Sequence, residues 1–95
     1  MSQIRIDRDT AHRLIADGAK LIDVRTPAEF EDGGYEGSVN IPHDEIEDRV
    51  DEVAKTTDTI VVYCRSGARS QYAAEVLREH GYAETYNAGG LGDLL

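Results

Sequence analysis

The 95-residue sequence predicts a single α/β domain spanning residues 1–95, with a mostly parallel five-stranded sheet and helices on both of its faces. Three observations lead to this fold class. Short apolar segments alternate with amphipathic ones, glycine and proline stand at the junctions, and no pattern repeats along the chain. Alternating strands and helices are typical of parallel sheets, because each helix carries the chain back to the start of the next strand.

The first half of the chain predicts three strands and two helices. The strands are expected at Gln3–Ile6, Lys20–Val24 and Val39–Ile41. Asp7 or Asp9 is a suitable N-cap for the first helix, and Gly18 is expected to end it. Thr26-Pro27 begins a second, short helix that ends near Gly33, since proline is well suited to the first helical position.

The second half predicts two more strands and two longer helices. Ile46, Val50 and Val53 recur among seven acidic residues between positions 44 and 58, which indicates an amphipathic helix with a solvated face. Thr59–Tyr63 is almost wholly apolar or β-branched, as expected of a central strand covered on both faces. The remaining elements are a helix at Ala68–His80 and a strand at Glu84–Asn87.

The charge balance argues against several classes of partner. Ten Lys and Arg residues against nineteen Asp and Glu residues give a formal net charge of −9. Nucleic acid and anionic membrane surfaces need a basic footprint, so we expect neither as a main partner. No apolar segment approaches the length of a membrane span. A small anion held in a local positive pocket remains compatible with this composition.

Cysteine usage and the first segment of the chain indicate the compartment. Cys64 is the one cysteine in the sequence, which excludes an internal disulfide and a zinc site built from cysteines alone. Charged residues interrupt the apolar ones throughout positions 1–20, unlike the apolar core of a signal peptide. We therefore expect the protein in the reducing cytoplasm.

The segment from Cys64 to Ser70 is the strongest candidate for a functional site. Cys64 follows the central strand directly, and ligands of parallel sheets bind beyond the carboxyl ends of the strands. Gly67 allows the loop to curl so that its backbone N–H groups form an anion-binding nest at the start of a helix. Arg65 and Arg69 add positive charge, and each of these features favours a thiolate, so we expect Cys64 to be a nucleophile at neutral pH. We expect Ser66 and Ser70 to bond the loop or cap the helix.

Two other interpretations of this segment have to be considered. A lone cysteine at the end of an apolar strand is most often a small buried hydrophobic residue. The Arg-Ser-Gly-Ala-Arg segment that follows Cys64 favours a reactive thiolate with an anionic substrate instead. A small cysteine phosphatase or arsenate reductase is disfavoured, because four residues separate Cys64 from Arg69 where phosphatases have five. The loop also lacks a carboxylic acid to protonate a leaving group.

These motifs together resemble a single-domain rhodanese, a thiosulfate sulfurtransferase, and are similar to the small phage-shock rhodaneses of bacteria. The resemblance extends from about residue 20 to residue 93. In the family's order, the matching segments are Leu21-Ile22-Asp23-Val24-Arg25, Pro27-Ala28-Glu29-Phe30, Gly37-Ser38-Val39-Asn40-Ile41-Pro42, Val61-Val62-Tyr63-Cys64-Arg65-Ser66-Gly67-Ala68-Arg69-Ser70 and Asn87-Ala88-Gly89-Gly90-Leu91. It implies the three-layer rhodanese-like fold.

The resemblance also implies a two-step sulfur transfer. Cys64 would take sulfur from thiosulfate or another sulfane-sulfur donor, hold it as a persulfide, and pass it to cyanide, a small thiol or a protein thiol. Arg65 and Arg69 would hold the sulfonate, and the backbone of residues 65–70, Ala68 included, would bind the persulfide anion. No metal or cofactor would be needed, since the protein carries the sulfur itself. The alternative within the family is a catalytically silent binding or scaffold module.

Residues outside the loop have supporting roles in this interpretation. The resemblance implies that Asp23 and Arg25 brace the loops around the site. Glu29 lies four residues after Arg25, a spacing at which the two side chains can pair. The chain lacks the family's frequent C-terminal Trp, so we expect a bare rim around Gly89-Gly90. We assign no catalytic or metal-binding role to the histidines, His12, His43 and His80.

Overall fold

The computed structural model describes residues 3–95, which form a sheet of four parallel strands between two layers of helices. The strand order is β2-β1-β3-β4. The strands are β1 (Lys20–Asp23), β2 (Val39–Asn40), β3 (Ile60–Cys64) and β4 (Thr85–Gly90). The helices are α1 (Arg8–Ala16), α2 (Pro27–Glu31), α3 (Ile46–Arg49), α4 (Ala68–Glu79) and α5 (Leu91–Leu94), with a 3₁₀ turn at Val50–Glu52.

Local sequence determines where the first two helices begin. The Asp7 carboxylate accepts a hydrogen bond from the Thr10 N–H at 2.8 Å, which caps α1. Thr26 and Glu29 form a reciprocal capping box at the start of α2, with Pro27 at its first position. Gly18 has a φ of +101° just after α1, as expected of a residue that ends a helix. These predictions are confirmed.

The central strand β3 separates two apolar cores, which confirms the α/β fold with helices on both faces. Its five residues are buried. Val62 points into the larger core under α3 and α4, with Ile22, Ile46 and Leu77. Val61 points into the smaller core under α1 and α5, with Ala11, Leu21 and Leu94. Alternate residues of one strand supply both cores, because successive side chains point to opposite faces.

The prediction of a fifth strand at Gln3–Ile6 is wrong for the sheet that the structure describes. This segment forms one isolated parallel bridge, between Arg5 and Asn87. The Asn87 N–H donates to the Ile4 carbonyl at 2.7 Å, and the Ile6 N–H donates to the Asn87 carbonyl at 3.0 Å. Pairing stops there because Asp7 already caps the next helix. β4 in turn extends beyond the predicted Asn87, to Gly90, which pairs with Cys64.

The predicted amphipathic helix between residues 44 and 58 is much shorter in the structure. It consists of α3 and the 3₁₀ turn, with Ile46 and Val50 buried and Val53 partly buried. Like charges face each other at i,i+4 spacing, Glu47 with Asp51 among them. A segment with two buried anchors and mutually repelling acids does not propagate a long helix.

The carboxyl ends of β1 and β3 bring the candidate residues to one edge of the sheet. Asp23 pairs in register with Tyr63, so Cys64 and the Val24-Arg25 segment follow neighbouring strands at the same edge of the sheet. The loops that follow these strands form the site. Across residues 3–95, no helix has both the length and the apolar character needed to span a bilayer.

Candidate active site

The Cys64 thiol lies at the centre of the curled loop that joins β3 to α4. The residue is buried and forms no disulfide. The Gly67 N–H donates to Sγ at 3.0 Å, and the Ser70 hydroxyl lies 3.3 Å from it. Gly67 adopts a left-handed φ of +102°, which turns its N–H towards the sulfur. The loop therefore has the curl predicted from the glycine and the helix start, with a backbone N–H directed at the sulfur.

The pKa of the Cys64 thiol is lowered from its ordinary value of 9.0. Burial acts in the opposite direction and is the largest single influence. Hydrogen bonds from the Ser70 hydroxyl and from the backbone N–H groups of Ser70, Gly67 and Ser66 together outweigh it. The sequence argument gave this role jointly to the curled loop with its N–H groups, the helix start and the arginine charges. In the structure, the hydrogen bonds of the loop are the main cause of the lowered pKa.

Asn87 ties the loop to β4 and was not identified by the sequence argument as a site residue. Its side-chain oxygen accepts from the Gly89 N–H at 2.8 Å and lies 2.6 Å from the Ser70 hydroxyl, whose one proton serves both this oxygen and Cys64 Sγ. Its amide donates to the Gly67 carbonyl at 3.1 Å and to the Gln71 side chain at 3.2 Å. The signal in the sequence was an asparagine at the end of the last predicted strand, where a buried amide needs partners.

The expected bare rim at Gly89-Gly90 is wrong, because both glycines are buried against the loop. A β-carbon at Gly90 would collide with the Arg65 carbonyl oxygen, and one at Gly67 would lie 3.3 Å from the Gly89 Cα. The Arg5 side chain covers Gly89 from the outside and pairs with Asp93 at 3.4 Å. The two glycines therefore allow β4 to pack directly on the cysteine loop, which leaves no open rim there.

The two arginines of the loop have different surroundings. Arg69 donates from both terminal nitrogens to the Glu29 carboxylate, at 2.8 and 3.1 Å. This pairing, together with hydrogen bonds from Thr26, lowers the pKa of Glu29 from 4.5 to about 2. The expected pairing of Glu29 with Arg25 is wrong, since α2 turns the carboxylate towards α4. The Arg65 side chain is exposed and has no hydrogen bond or ion pair to any residue from 3 to 95.

Asp23 and Arg25 form a buried ion pair next to the loop. Arg25 Nη2 lies 2.7 Å from Asp23 Oδ2, and its Nε lies 3.0 Å from both carboxylate oxygens. Arg25 also donates to the Gly33 carbonyl at 2.8 Å and lies over the Tyr63 ring. The hydrogen bonds to Asp23 raise the pKa of Arg25. These contacts fasten the segment after α2 to the ends of β1 and β3.

The histidines lie in three separate places. His12 contacts the Leu94 carbonyl at 2.6 Å, His80 pairs with Glu47 at 2.6 Å, and His43 contacts the Tyr72 ring edge-to-face. Among residues 3–95, no three histidine, cysteine or acidic side chains are grouped as metal ligands would be.

Comparison with known proteins shows which family this chain resembles in sequence and in fold. The family model described as the rhodanese-like domain matches residues 7–92. The thiosulfate sulfurtransferase PspE of Escherichia coli (strain K12) is 42% identical over 74 residues, covering 77% of this chain and 71% of that protein. A sulfurtransferase of Allochromatium vinosum is 38% identical over 87 residues, covering 90% and 80%. The human single-domain sulfurtransferase TSTD1 superposes with a TM-score of 0.83 at 27% identity, covering 94% and 91%.

Proposed function

Since this chain belongs to the rhodanese family and is a thiosulfate sulfurtransferase, we propose that Cys64 is its nucleophile and carries the transferred sulfur as a persulfide. The observation that carries this proposal is the thiol itself. Cys64 Sγ accepts a hydrogen bond from the Gly67 N–H at 3.0 Å, and its pKa is lowered despite burial. A thiolate is the form that attacks sulfur.

In the first half-reaction, the Cys64 thiolate attacks the outer sulfur of thiosulfate. The new Sγ–S bond forms as the S–S bond of thiosulfate breaks, and sulfite leaves with the electron pair of the broken bond. The total charge stays at three negatives, shared by the persulfide anion and the sulfite dianion. Another sulfane-sulfur donor would react in the same way, with its own leaving group taking the electron pair.

The loop supplies the groups that stabilise this negative charge. Backbone N–H groups of Ser66, Gly67 and Ser70 already donate to Sγ, and the N–H groups of residues 65–70 would stabilise the persulfide anion without reorganisation. The exposed Arg65 is free to contact the sulfonate of the donor. Arg69 contributes positive charge from a fixed position, because Glu29 holds its guanidinium. The buried pair of Asp23 and Arg25 keeps the neighbouring loop in place.

In the second half-reaction, an acceptor attacks the terminal sulfur of the persulfide. A thiolate acceptor forms a new S–S bond, the Sγ–S bond breaks, and Cys64 regains its thiolate. Cyanide gives thiocyanate by the same displacement. Neither half-reaction needs a metal or a cofactor. That the protein is a single domain located in the cytoplasm stays a prediction.

The intact mass of the protein before and after treatment with excess thiosulfate tests the proposal. We expect a gain of one sulfur atom, and we expect cyanide to remove it with release of thiocyanate. Cys64→Ser is the matched control, because it keeps the size of the side chain and the hydrogen bonds of the loop but removes the nucleophile. A wild-type mass that does not change, with Cys64 reduced and open to alkylation at neutral pH, would rule out the persulfide cycle and favour a scaffold role.

A further inference from the structure

A cleft of about 430 Å³ opens beside the cysteine loop, and its His43, Asp44 and Tyr72 side chains take no part in the reaction described above. It is lined by His43, Asp44, Ala68, Arg69 and Tyr72, and most of its surface is apolar. Its volume falls in the range of small ligand sites.

The aromatic side of the cleft is exposed. The Tyr72 side chain is 53% exposed, which is high for a large hydrophobic residue in this chain. Its ring contacts His43 edge-to-face, with 6.1 Å between the ring centroids. Tyrosine in such a position offers a rigid apolar surface with one polar end, a combination enriched where proteins meet.

The cleft lies on one of two unlike flanks of the loop. Ala68 and Arg69 belong both to the cleft and to the loop that surrounds Sγ. The other flank is a separate pocket lined by Arg65, Arg25 and acidic side chains, together with Leu95. An anionic donor fits the Arg65 flank, because that guanidinium has no partner among residues 3–95. The His43–Tyr72 flank is left for the other substrate.

The charge around the cleft is negative. Asp44 lines it and has no ion-pair partner in the part of the chain that the structure describes. Glu75 lies one turn after Tyr72 on the same face of α4. Arg69 does not compensate for these acids, since Glu29 already holds its guanidinium. This surface therefore attracts positively charged groups and repels carboxylates.

We propose that the cleft formed by His43, Asp44 and Tyr72 binds the sulfur acceptor, and that this acceptor is a cysteine of a protein segment with basic neighbouring residues. The inference rests on the proposed persulfide at Cys64. Because Sγ is buried, the thiol of the acceptor must reach into the loop. A cysteine side chain is short, so the backbone that carries it must come close to the loop. The backbone of the acceptor segment then lies over the flanking cleft, with an apolar side chain against Tyr72 and a basic one near Asp44.

The test separates the two half-reactions. The protein is first loaded with thiosulfate, and the persulfide is then discharged by cyanide, by a cysteine peptide flanked by lysines, or by the same peptide with glutamates. We expect the lysine peptide to be the better acceptor. Tyr72→Ala should lower kcat/KM for this peptide about tenfold, mainly through KM, while loading and cyanide discharge stay within about twofold. Tyr86→Ala is the matched control, because Tyr86 lies beside Thr59 and Glu84, at the other end of the sheet.

Charge is tested by a second pair of variants. Asp44→Asn should reduce the preference for the lysine peptide over the glutamate peptide. Asp51→Asn, an equal change at an exposed acid outside the cleft, should leave that preference intact. A normal persulfide whose transfer to the lysine peptide is unaffected by Tyr72→Ala, or a preference for the glutamate peptide, would overturn this inference alone. Failure of thiosulfate to load Cys64 would overturn the proposed function and this inference together.

Discussion

Two carboxylate–arginine pairs lie at the same edge of the sheet, yet their surroundings differ. Asp23 and Arg25 are neighbours in sequence, and their side chains are 0% and 8% exposed. Glu29 and Arg69 are 40 residues apart, join α2 to α4, and remain 28% and 30% exposed. Both pairs consist of a carboxylate and a guanidinium. Their roles therefore differ through side-chain exposure and through the elements that each pair joins.

The buried pair of Asp23 and Arg25 is part of the protein's core architecture. The partly exposed pair of Glu29 and Arg69 links α2 to α4 beside the site. Removing one partner of a buried pair leaves a charge without water or a counter-ion, which is strongly unfavourable. A partly exposed pair is hydrated and screened, so its loss costs less. A charged residue next to the proposed nucleophile is therefore not by itself evidence of substrate contact.

The largest effect is expected from breaking the buried pair. Arg25→Ala leaves the Asp23 carboxylate buried and unpaired, so we expect the free energy of unfolding to fall by about 3–5 kcal/mol. Urea denaturation followed by circular dichroism measures this change.

The control is a double variant in which Asp23→Asn accompanies Arg25→Ala. Removing the buried charge as well should recover part of the lost stability. A single variant within about 1 kcal/mol of the wild type would contradict the architectural role.

An intermediate effect on stability is expected at the partly exposed pair of Glu29 and Arg69. Glu29→Gln should lower the free energy of unfolding by no more than about 1 kcal/mol at neutral pH. The pKa of Glu29 is lowered from 4.5 to about 2, so the stabilisation is fully present above pH 4.5 and disappears as the pH falls towards 2. Denaturation curves of the two proteins should therefore differ at neutral pH and converge in acid.

Glu31→Gln is the matched control for this titration, because Glu31 is an exposed acid on the same helix without a bidentate partner. If the difference in the free energy of unfolding between wild type and Glu29→Gln persists unchanged at pH 2, the carboxylate charge is not what stabilises the contact between α2 and α4.

The smallest effect on stability is expected at Arg65, which belongs to neither pair. Arg65→Ala should change the free energy of unfolding by less than about 0.5 kcal/mol. It should raise KM for thiosulfate about tenfold, because a charge-assisted contact to the donor is lost before reaction. Steady-state kinetics with cyanide as acceptor measures both constants.

Arg13→Ala provides the comparison, since Arg13 is exposed on α1, far from the loop in sequence and on another layer. A fall in kcat with an unchanged KM at Arg65 would place this arginine in the transition state instead of in donor recruitment.

Local sequence was sufficient for the α/β class, for two helix starts and for the position of the curled loop between β3 and α4. Helix caps such as Asp7 and Thr26 bond to backbone groups within four residues, and an uninterrupted apolar segment such as β3 indicates a buried strand. The nest around Cys64 was equally predictable, because Gly67 and the start of α4 follow it in sequence. The resemblance to rhodaneses added the fold family and the reaction.

Tertiary structure decided the partners of the charged and polar side chains. Glu29 was predicted to reach Arg25 from sequence spacing, but it binds Arg69 because α2 faces α4 across the loop. Asn87 became a site residue only when β4 packed beside β3, and the same packing buried Gly89 and Gly90. The physical reason is range: backbone conformation responds to neighbours within a few residues, whereas ion pairs and buried amides are formed by segments that folding brings together.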